Sequence, residues 1–350
     1  MFCIIHNVST KITCPVCGEP GYLAKVRHGN HVYIYVDHFV RENGRVVRHK
    51  HYLGKDTSVL RQELEEVIGN KHARKPLRLV GGDFFIADIL QPRIEGLCTT
   101  PKCTFVEVFG GSGYMTQTVS REVFGNIVYN DIDNLLVTLY EHIKENPEQL
   151  AALLTLLPYG RSYYKIVRDM LKANKDFASL AAAAMLFYGA NSSFLGGFAK
   201  KGFAYAIHPN KNEARAFRSK TWAIVKFADR WKDVTIENLD FRDVIRKYDS
   251  EKTVFYLDPP YPDRSVDYYG HLFTVDDLRE MAKILTEIQG RFLLKLDART
   301  YEPISDILPE SKYKVEKIER KLNQQKVRGG QKGTWILTLV TPRFPSSQRP

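Results

Sequence analysis

No stretch of this chain stays apolar long enough to span a bilayer, which argues against a helical membrane protein. Nor does the chain open on the basic-then-apolar pattern of a secretory signal, so a cytoplasmic protein with no membrane partner is expected. Cysteine is scarce and its count is odd: Cys3, Cys14, Cys17, Cys98 and Cys103 are the five among 350 residues. An odd, small set in such a chain argues against a disulfide framework. Internal repeats and low-complexity runs are also missing. Acidic residues are the minority, 40 against 51 Lys and Arg, leaving a formal net charge of +11. That excess suits a polyanionic partner, because each phosphate contact releases counterions. The 44% hydrophobic content is enough to build a core.

What is present is a chain that alternates short apolar runs with helix-like stretches from about residue 76 onward. Strands are expected at 104–109, 127–130, 234–237, 253–257, 292–296, 314–319 and 334–340. Helices are expected at 84–91, 114–123, 134–144, 147–156, 161–173, 178–189, 213–230 and 275–288. Such alternation implies a parallel-rich sheet covered on both faces. Two of its turns carry chemistry. Thr253 to Leu257 is a β-rich run that stops at Asp258-Pro259-Pro260-Tyr261, since prolines cannot continue a central strand. One carboxylate and one ring are therefore held rigidly at a strand end, where open α/β sheets place their ligands. A strand followed by a Pro-Pro turn with a capping Asp is the plainer reading of those four residues alone.

The second turn follows Thr104 to Phe109 and reads Gly110-Gly111-Ser112-Gly113. Its glycines permit a tight bend and close approach of backbone to a ligand. The spacing is not the G-x-G-x-x-G of dinucleotide-binding folds. At the end of the next strand stands Asp131, which could accept hydrogen bonds from a ribose diol or cap the helix that follows. Asn238-Leu239-Asp240-Phe241 precedes a short helix-like stretch, again with a capping acid as the alternative.

Together these motifs resemble the Dam-type (D12 class) adenine-specific DNA methyltransferases over roughly residues 76 to 342. The resemblance implies a Rossmann-like S-adenosylmethionine-dependent methyltransferase fold of class α/β with a helical target-recognition insertion at about 156–231. It implies catalysis by Asp258, Pro259, Pro260 and Tyr261. Cofactor contacts are implied for Gly81, Gly82, Glu107, Phe109, Gly110, Gly111, Gly113, Asp131, Asp240, Phe241 and Asp258. It also implies contacts with double-stranded DNA from Asn191, from Lys200 and Lys201 in a glycine-punctuated hairpin, and from Arg328. One departure stands out. The family carries Gly-Gly-Lys near the start of the domain, and this chain has Gly81-Gly82-Asp83, whose charge would repel DNA or a cofactor carboxylate.

The expected chemistry is methyl transfer to the 6-amino group of adenine. That nitrogen is a weak nucleophile because its lone pair is delocalised into the ring. Two acceptors, the Asp258 carboxylate and the Pro259 carbonyl, would grip its hydrogens while the nitrogen pyramidalises, which is catalysis by positioning. Tyr261 offers a face on which a flipped base can stack, worth roughly 1–3 kcal/mol. Cytosine carries a similar amine, RNA is another possible substrate, and an inactive nucleic-acid-binding relative is a further alternative.

Residues 1–55 read as a small antiparallel β module, with strands near Tyr22–Val26, His31–Val40 and Arg45–Leu53. Its Cys14-Pro15-Val16-Cys17-Gly18 reads as half of a Zn2+ site, with a surface turn carrying free thiols as the plainer alternative. Cys3 and His6 are the nearest second pair, with His38, His49 and His51 as other candidates. A charged helix from Val59 to Lys71 is expected to link the module, across residues 56–75, to the methyltransferase domain at 76–342. A disordered tail is expected at 343–350. Cys98 and Cys103 flank a turn and read as structural.

Overall fold

The computed structural model describes residues 11–14, 19–28, 31–42, 45–55, 77, 83, 86–173, 178–194, 202–206, 212–262, 273–321 and 334–343. Cys3, His6, Cys17, Gly81, Gly82, Lys200, Lys201 and Arg328 lie outside these residues, as do the helix expected at 59–71 and the residues after 343. The chain divides into two compact units, Met1–Arg74 and Lys75–Pro350.

The first unit is a four-stranded antiparallel sheet in sequence order: β1 (Lys11–Thr13), β2 (Pro20–His28), β3 (His31–Glu42) and β4 (Arg45–Lys55). Period-two alternation in β3 separates its faces. Ile34, Val36 and His38 point to a buried side, whereas Phe39 and Tyr52 are exposed. On that open side Tyr35 and Tyr52 pair at 5.3 Å, and the Lys50 ammonium lies over the Tyr35 ring. Gly21 is required where β2 passes β3, because a Cβ there would stand 2.4 Å from Val36 and 2.9 Å from the His38 ring.

The second unit is built on a seven-stranded sheet. Its strands are β5 (Cys103–Glu107), β6 (Phe124–Asn130), β7 (Val234–Glu237), β8 (Thr253–Leu257), β9 (Arg291–Asp297), β10 (Tyr313–Lys321) and β11 (Thr334–Pro342). They lie in the order β10-β11-β9-β8-β5-β6-β7. The strands from β7 to β9 run parallel; β11 is antiparallel to both β9 and β10. The chain runs outward through β5, β6 and β7, then returns to lay β8 on the other side of β5. The pair β5/β8 is therefore the topological switch point, where ligands of open sheets bind. Every residue of β8 is buried, and an all-apolar strand interior is what a sheet covered on both faces demands.

The helices are α1 (Ala87–Glu95), α2 (Tyr114–Thr118), α3 (Asn134–Glu145), α4 (Pro147–Leu156), α5 (Arg161–Ala173), α6 (Leu180–Ser192), α7 (Glu213–Trp231), α8 (Phe241–Tyr248), α9 (Val275–Glu287) and α10 (Ala298–Tyr301). One apolar cluster joins the sheet to α1, α3 and the helices α4 to α7; a second joins the opposite face to α8, α9 and α10. In the segment expected to read the target, α5, α6 and α7 pack through Tyr164, Phe187, Tyr188 and Phe217. Ser193 and Phe203 form a bridge there, closing the base of a loop whose tip lies outside the described residues.

Two local expectations change. Helix α2 stops at Thr118, well short of residue 123, because Val119 turns extended and Arg230 takes the carbonyl of Gln117 at 2.7 Å. Cys98 and Cys103 form a disulfide, although the cysteine count argued against a framework. The turn between α1 and β5 brings those two thiols together and carries Lys102 at φ 58°.

Candidate functional site

The site forms where β5 and β8 end side by side. Their register pairs Glu107 with Tyr256, and the amide of Val108 donates to the Tyr256 carbonyl at 3.0 Å. The glycine turn that follows β5 and the Asp258-Pro259 elbow that follows β8 thus leave adjacent strands at the same level.

The glycine turn rests on an aromatic bed. A Cβ on Gly110 would fall 2.1 Å from the Tyr129 ring, and one on Gly113 would fall 2.7 Å from Trp231. Tyr140 stacks on Trp231 at 4.2 Å, and Tyr129 donates its hydroxyl to the Gly111 carbonyl at 3.0 Å. Gly111 differs from its neighbours. It adopts φ +50°, and among the described residues nothing lies within 4 Å of where its Cβ would stand. The loop is clamped from below and open on one side, which is the shape a bound nucleotide-like group needs.

Asp131 lies under the same loop. It accepts from the Gly111 amide at 2.7 Å and from the Asp133 amide at 2.9 Å, while Asp133 itself caps α3. Burial and the nearby Asp133 charge push the Asp131 carboxyl up to about 7, against the pull of those amides. Glu107 is buried at the end of β5 and ties it to α2, accepting from the Thr116 amide at 2.7 Å and hydroxyl at 2.5 Å. Burial is the main reason its carboxyl rises to about 8.

Beyond β7, Asp240 caps α8 by accepting from the Arg242 amide at 2.9 Å. Arg242 pairs with Asp240, Asp277 and Glu280 and lies 4.2 Å over the Phe241 ring. Phe109, Phe241 and Phe273 form a ring cluster with centroids 5.8–5.9 Å apart. Asn130, a residue the sequence did not single out, locks these loops together. Its amide donates to Val108 at 2.8 Å and Leu239 at 3.1 Å, and its oxygen accepts from Leu239 at 2.9 Å. Only a buried asparagine side chain at a strand end meets both needs at once.

Asp258 keeps 22% of its side chain exposed and pairs through Oδ2 with the ammonium of Lys295, which is buried in β9. The other partner of that ammonium is Asp83 Oδ1, and Asp83 Oδ2 accepts from the Tyr256 hydroxyl at 2.7 Å. Asp83, expected to confront ligands, is instead buried and paired. Burial pushes the Asp258 carboxyl up to about 7, the Lys295 ammonium pulls it down, and Asp83 pushes it up. Lys295 sits mid-strand in an apolar run, a position sequence reading treated as core; its one visible signal was a charge inside a buried strand.

Two expected sites lie elsewhere. Asn191 is buried in α6, where its amide donates to Phe187 at 3.1 Å and its oxygen accepts from Lys220 at 2.6 Å. In the first unit, Cys14, His38 and His51 offer ligand atoms within 4.8 Å of one another. Cys14 Sγ is 3.2 Å from His51 Nδ1, and His38 Nδ1 is 3.0 Å from the Pro20 carbonyl.

No curated protein matches the sequence. Among solved structures, an rRNA methyltransferase of Streptomyces viridochromogenes is similar at 13% identity and TM-score 0.31, over 80% of this chain and 92% of its own. A transferase of Pyrococcus horikoshii is similar at 10% identity and TM-score 0.28, over 88% and 71%. Both are too distant to bear on function. The model of the D12 class N6 adenine-specific DNA methyltransferases matches residues 89–324. That match spans well over half of the sequence and takes in the glycine turn, Asp131, Asp240 and the Asp258 elbow, and the chain belongs to this family.

Proposed function

We propose that this chain methylates the 6-amino group of adenine in double-stranded DNA, acting in the cytoplasm, with Asp258 and the Pro259 carbonyl as the two acceptors of the amine. The observation that carries the reading is the level ending of β5 and β8, which puts an acid elbow beside a glycine turn open at Gly111. Among the described residues no helix is long and apolar enough to cross a membrane.

S-adenosylmethionine, the methyl-donating substrate of this family, fits the open side of Gly111, where a side chain would fill the space it needs. Gly110, Gly111 and Gly113 would bring backbone against it, Asp131 would take its ribose, and the Phe109–Phe241 pair with Asp240 would bound its adenine. Gly81 and Gly82, which lie outside the described residues, are proposed as further cofactor contacts on the family resemblance. The role of Glu107 in this reading is indirect, fixing β5 to α2 beneath the loop. Bound there, S-adenosylmethionine would supply a sulfonium methyl to a base held at the elbow.

The chain's own part is then acceptance and exclusion. The target adenine must leave the duplex stack, which costs a few kcal/mol and is offset in part by stacking on Tyr261. Asp258 and the Pro259 carbonyl take the two N6 hydrogens, so that the nitrogen lone pair can turn toward the methyl group. Transfer leaves a protonated amine, and the Asp258 carboxylate is placed to receive its proton. Lys200, Lys201 and Arg328 would contact phosphate. At the base of the insertion loop, exposed Tyr205 with Arg161 5.1 Å over its ring adds a stacking face that the sequence reading passed over. Asn191 would act through Lys220 rather than by direct contact.

In the first unit, Cys14, His38 and His51 would hold a structural Zn2+, with Cys17 of the same C-x-x-C as the fourth ligand. That set replaces Cys3 and His6 as the favoured partners of Cys14. Mass spectrometry of nucleosides from DNA incubated with the chain and labelled S-adenosylmethionine tests the reaction. The expected product is 6-methyladenine; label on cytosine alone would overturn the choice of base, and no labelled nucleoside would overturn the activity.

A further inference from the structure

The buried charges behind Asp258 require an account. Lys295 is 1% exposed in the middle of β9, and Asp83 is 5% exposed. Taking an ion out of water costs several kcal/mol, and replacing a buried ion pair by apolar side chains is often neutral or stabilising. Stability alone therefore does not favour a lysine flanked by Leu294 and Leu296. The arrangement has a direction, however. Tyr256 and Asp83 hold each other at 2.7 Å, Asp83 holds the ammonium, and the ammonium contacts Oδ2 of Asp258. A chain of contacts thus runs from a buried tyrosine to the partly exposed carboxylate at the site.

Resting on the reaction proposed above, we propose that Lys295, anchored by Asp83 and Tyr256, is the positioning residue that keeps Asp258 ionised and turns Oδ1 toward the target amine. The same arrangement explains the departure at Gly81-Gly82-Asp83. Where the resembled family has a lysine, this chain has an aspartate, and the positive charge comes from β9 instead. Asp83 is spent on Lys295, so its charge does not confront DNA or a cofactor carboxylate.

The groups facing this pair come from every surrounding element. Asp258 faces Lys295 on β9, Tyr256 on β8 and Asp83; Tyr261 beyond the prolines acts on Lys295, and Glu107 on β5 acts on Tyr256. Of these only Lys295 favours the ionised Asp258. The two carboxylates lift the lysine above its ordinary value against the opposing effect of burial, so it stays charged while Asp258 titrates. Removing the ammonium leaves burial and like charge to protonate Asp258, and a protonated acid has lost acceptor capacity. Removing the Asp83 charge has the opposite effect.

Single-turnover methyl transfer to DNA, measured across about pH 5.5 to 9 with S-adenosylmethionine binding followed separately, tests this. In Lys295→Met the acid limb should move up from about 7 by at least about one unit, so that the rate at pH 7 falls about fivefold or more and recovers at high pH. In Asp83→Asn the limb should move down, and Lys295→Arg should keep it near that of the wild type. Cofactor binding should hold in all of them. Equal loss at every pH, or an unmoved limb in both Lys295→Met and Asp83→Asn, would overturn the assignment. If Lys295→Met does not fold, the direction of the Asp83→Asn shift decides. A wild-type chain that does not methylate adenine would instead sink the underlying reaction.

Discussion

Glycines 110 and 111 differ by one position and predict different failures. Alanine at 110 drives a methyl into the Tyr129 ring, an overpacking that costs about 1–3 kcal/mol. Thermal unfolding of Gly110→Ala should show that loss together with weakened cofactor binding. Alanine at 111 meets no atom of the described residues, so strain of about 1–2 kcal/mol from its φ of +50° is the structural cost, and its methyl would enter the space proposed for the ligand. Gly111→Ala should lose at least about tenfold in S-adenosylmethionine affinity, read by calorimetry, while staying folded. Glu107 adds a pH effect. Its carboxyl titrates near 8 in the fold against an ordinary 4.5, so its contribution is full below about 4.5 and is lost as pH rises through about 8. Melting curves of Glu107→Gln should therefore fall less than those of the wild type between about pH 4.5 and 8. The Asp258-Pro259 elbow and the glycine turn were legible as residues because each breaks a strand abruptly. Asp83, Lys295 and Asn130 were not, since what they do depends on partners far away in sequence.

Strands were the most legible elements, and the reason is burial. Val254 to Leu257 and Phe292 to Leu296 read as apolar runs because both faces of the sheet are covered. The helix after the glycine turn is shorter than expected because Arg230, brought in by α7, takes the Gln117 carbonyl, and Arg121 takes that of Thr116. β1 escaped because three residues carry too little pattern. The Cys98–Cys103 bond escaped because the odd count spoke against pairing, while the turn that joins them is set by α1 and β5. At this scale the joint between elements is the weak point. Asn130 satisfies three backbone groups at the ends of β5 and β7, so Asn130→Leu leaves those buried groups unpaired. Unpaired buried groups cost about 1–3 kcal/mol each. The variant should melt earlier in a thermal scan and bind S-adenosylmethionine more weakly, whereas an unchanged melt would contradict the clamp.

For the whole molecule, charge and metal are the properties to test. A net charge of +11 with a DNA substrate implies affinity that falls steeply with salt. The Met1–Arg74 unit has a sheet with one buried side on which Cys14 and two histidines converge. With so small a core, a metal would contribute much of its stability. Chelation should release zinc and unfold this unit while the Lys75–Pro350 unit keeps its own melting transition; calorimetry in the presence of chelator would show this. A chain purified without zinc and insensitive to chelator would remove the metal from the account. The central claim, however, is that Asp258 grips the amine. Asp258→Ala, assayed for methyl transfer to DNA and for S-adenosylmethionine binding on the same preparation, tests it most directly. Transfer should disappear while cofactor binding persists, and transfer at the wild-type rate would contradict it.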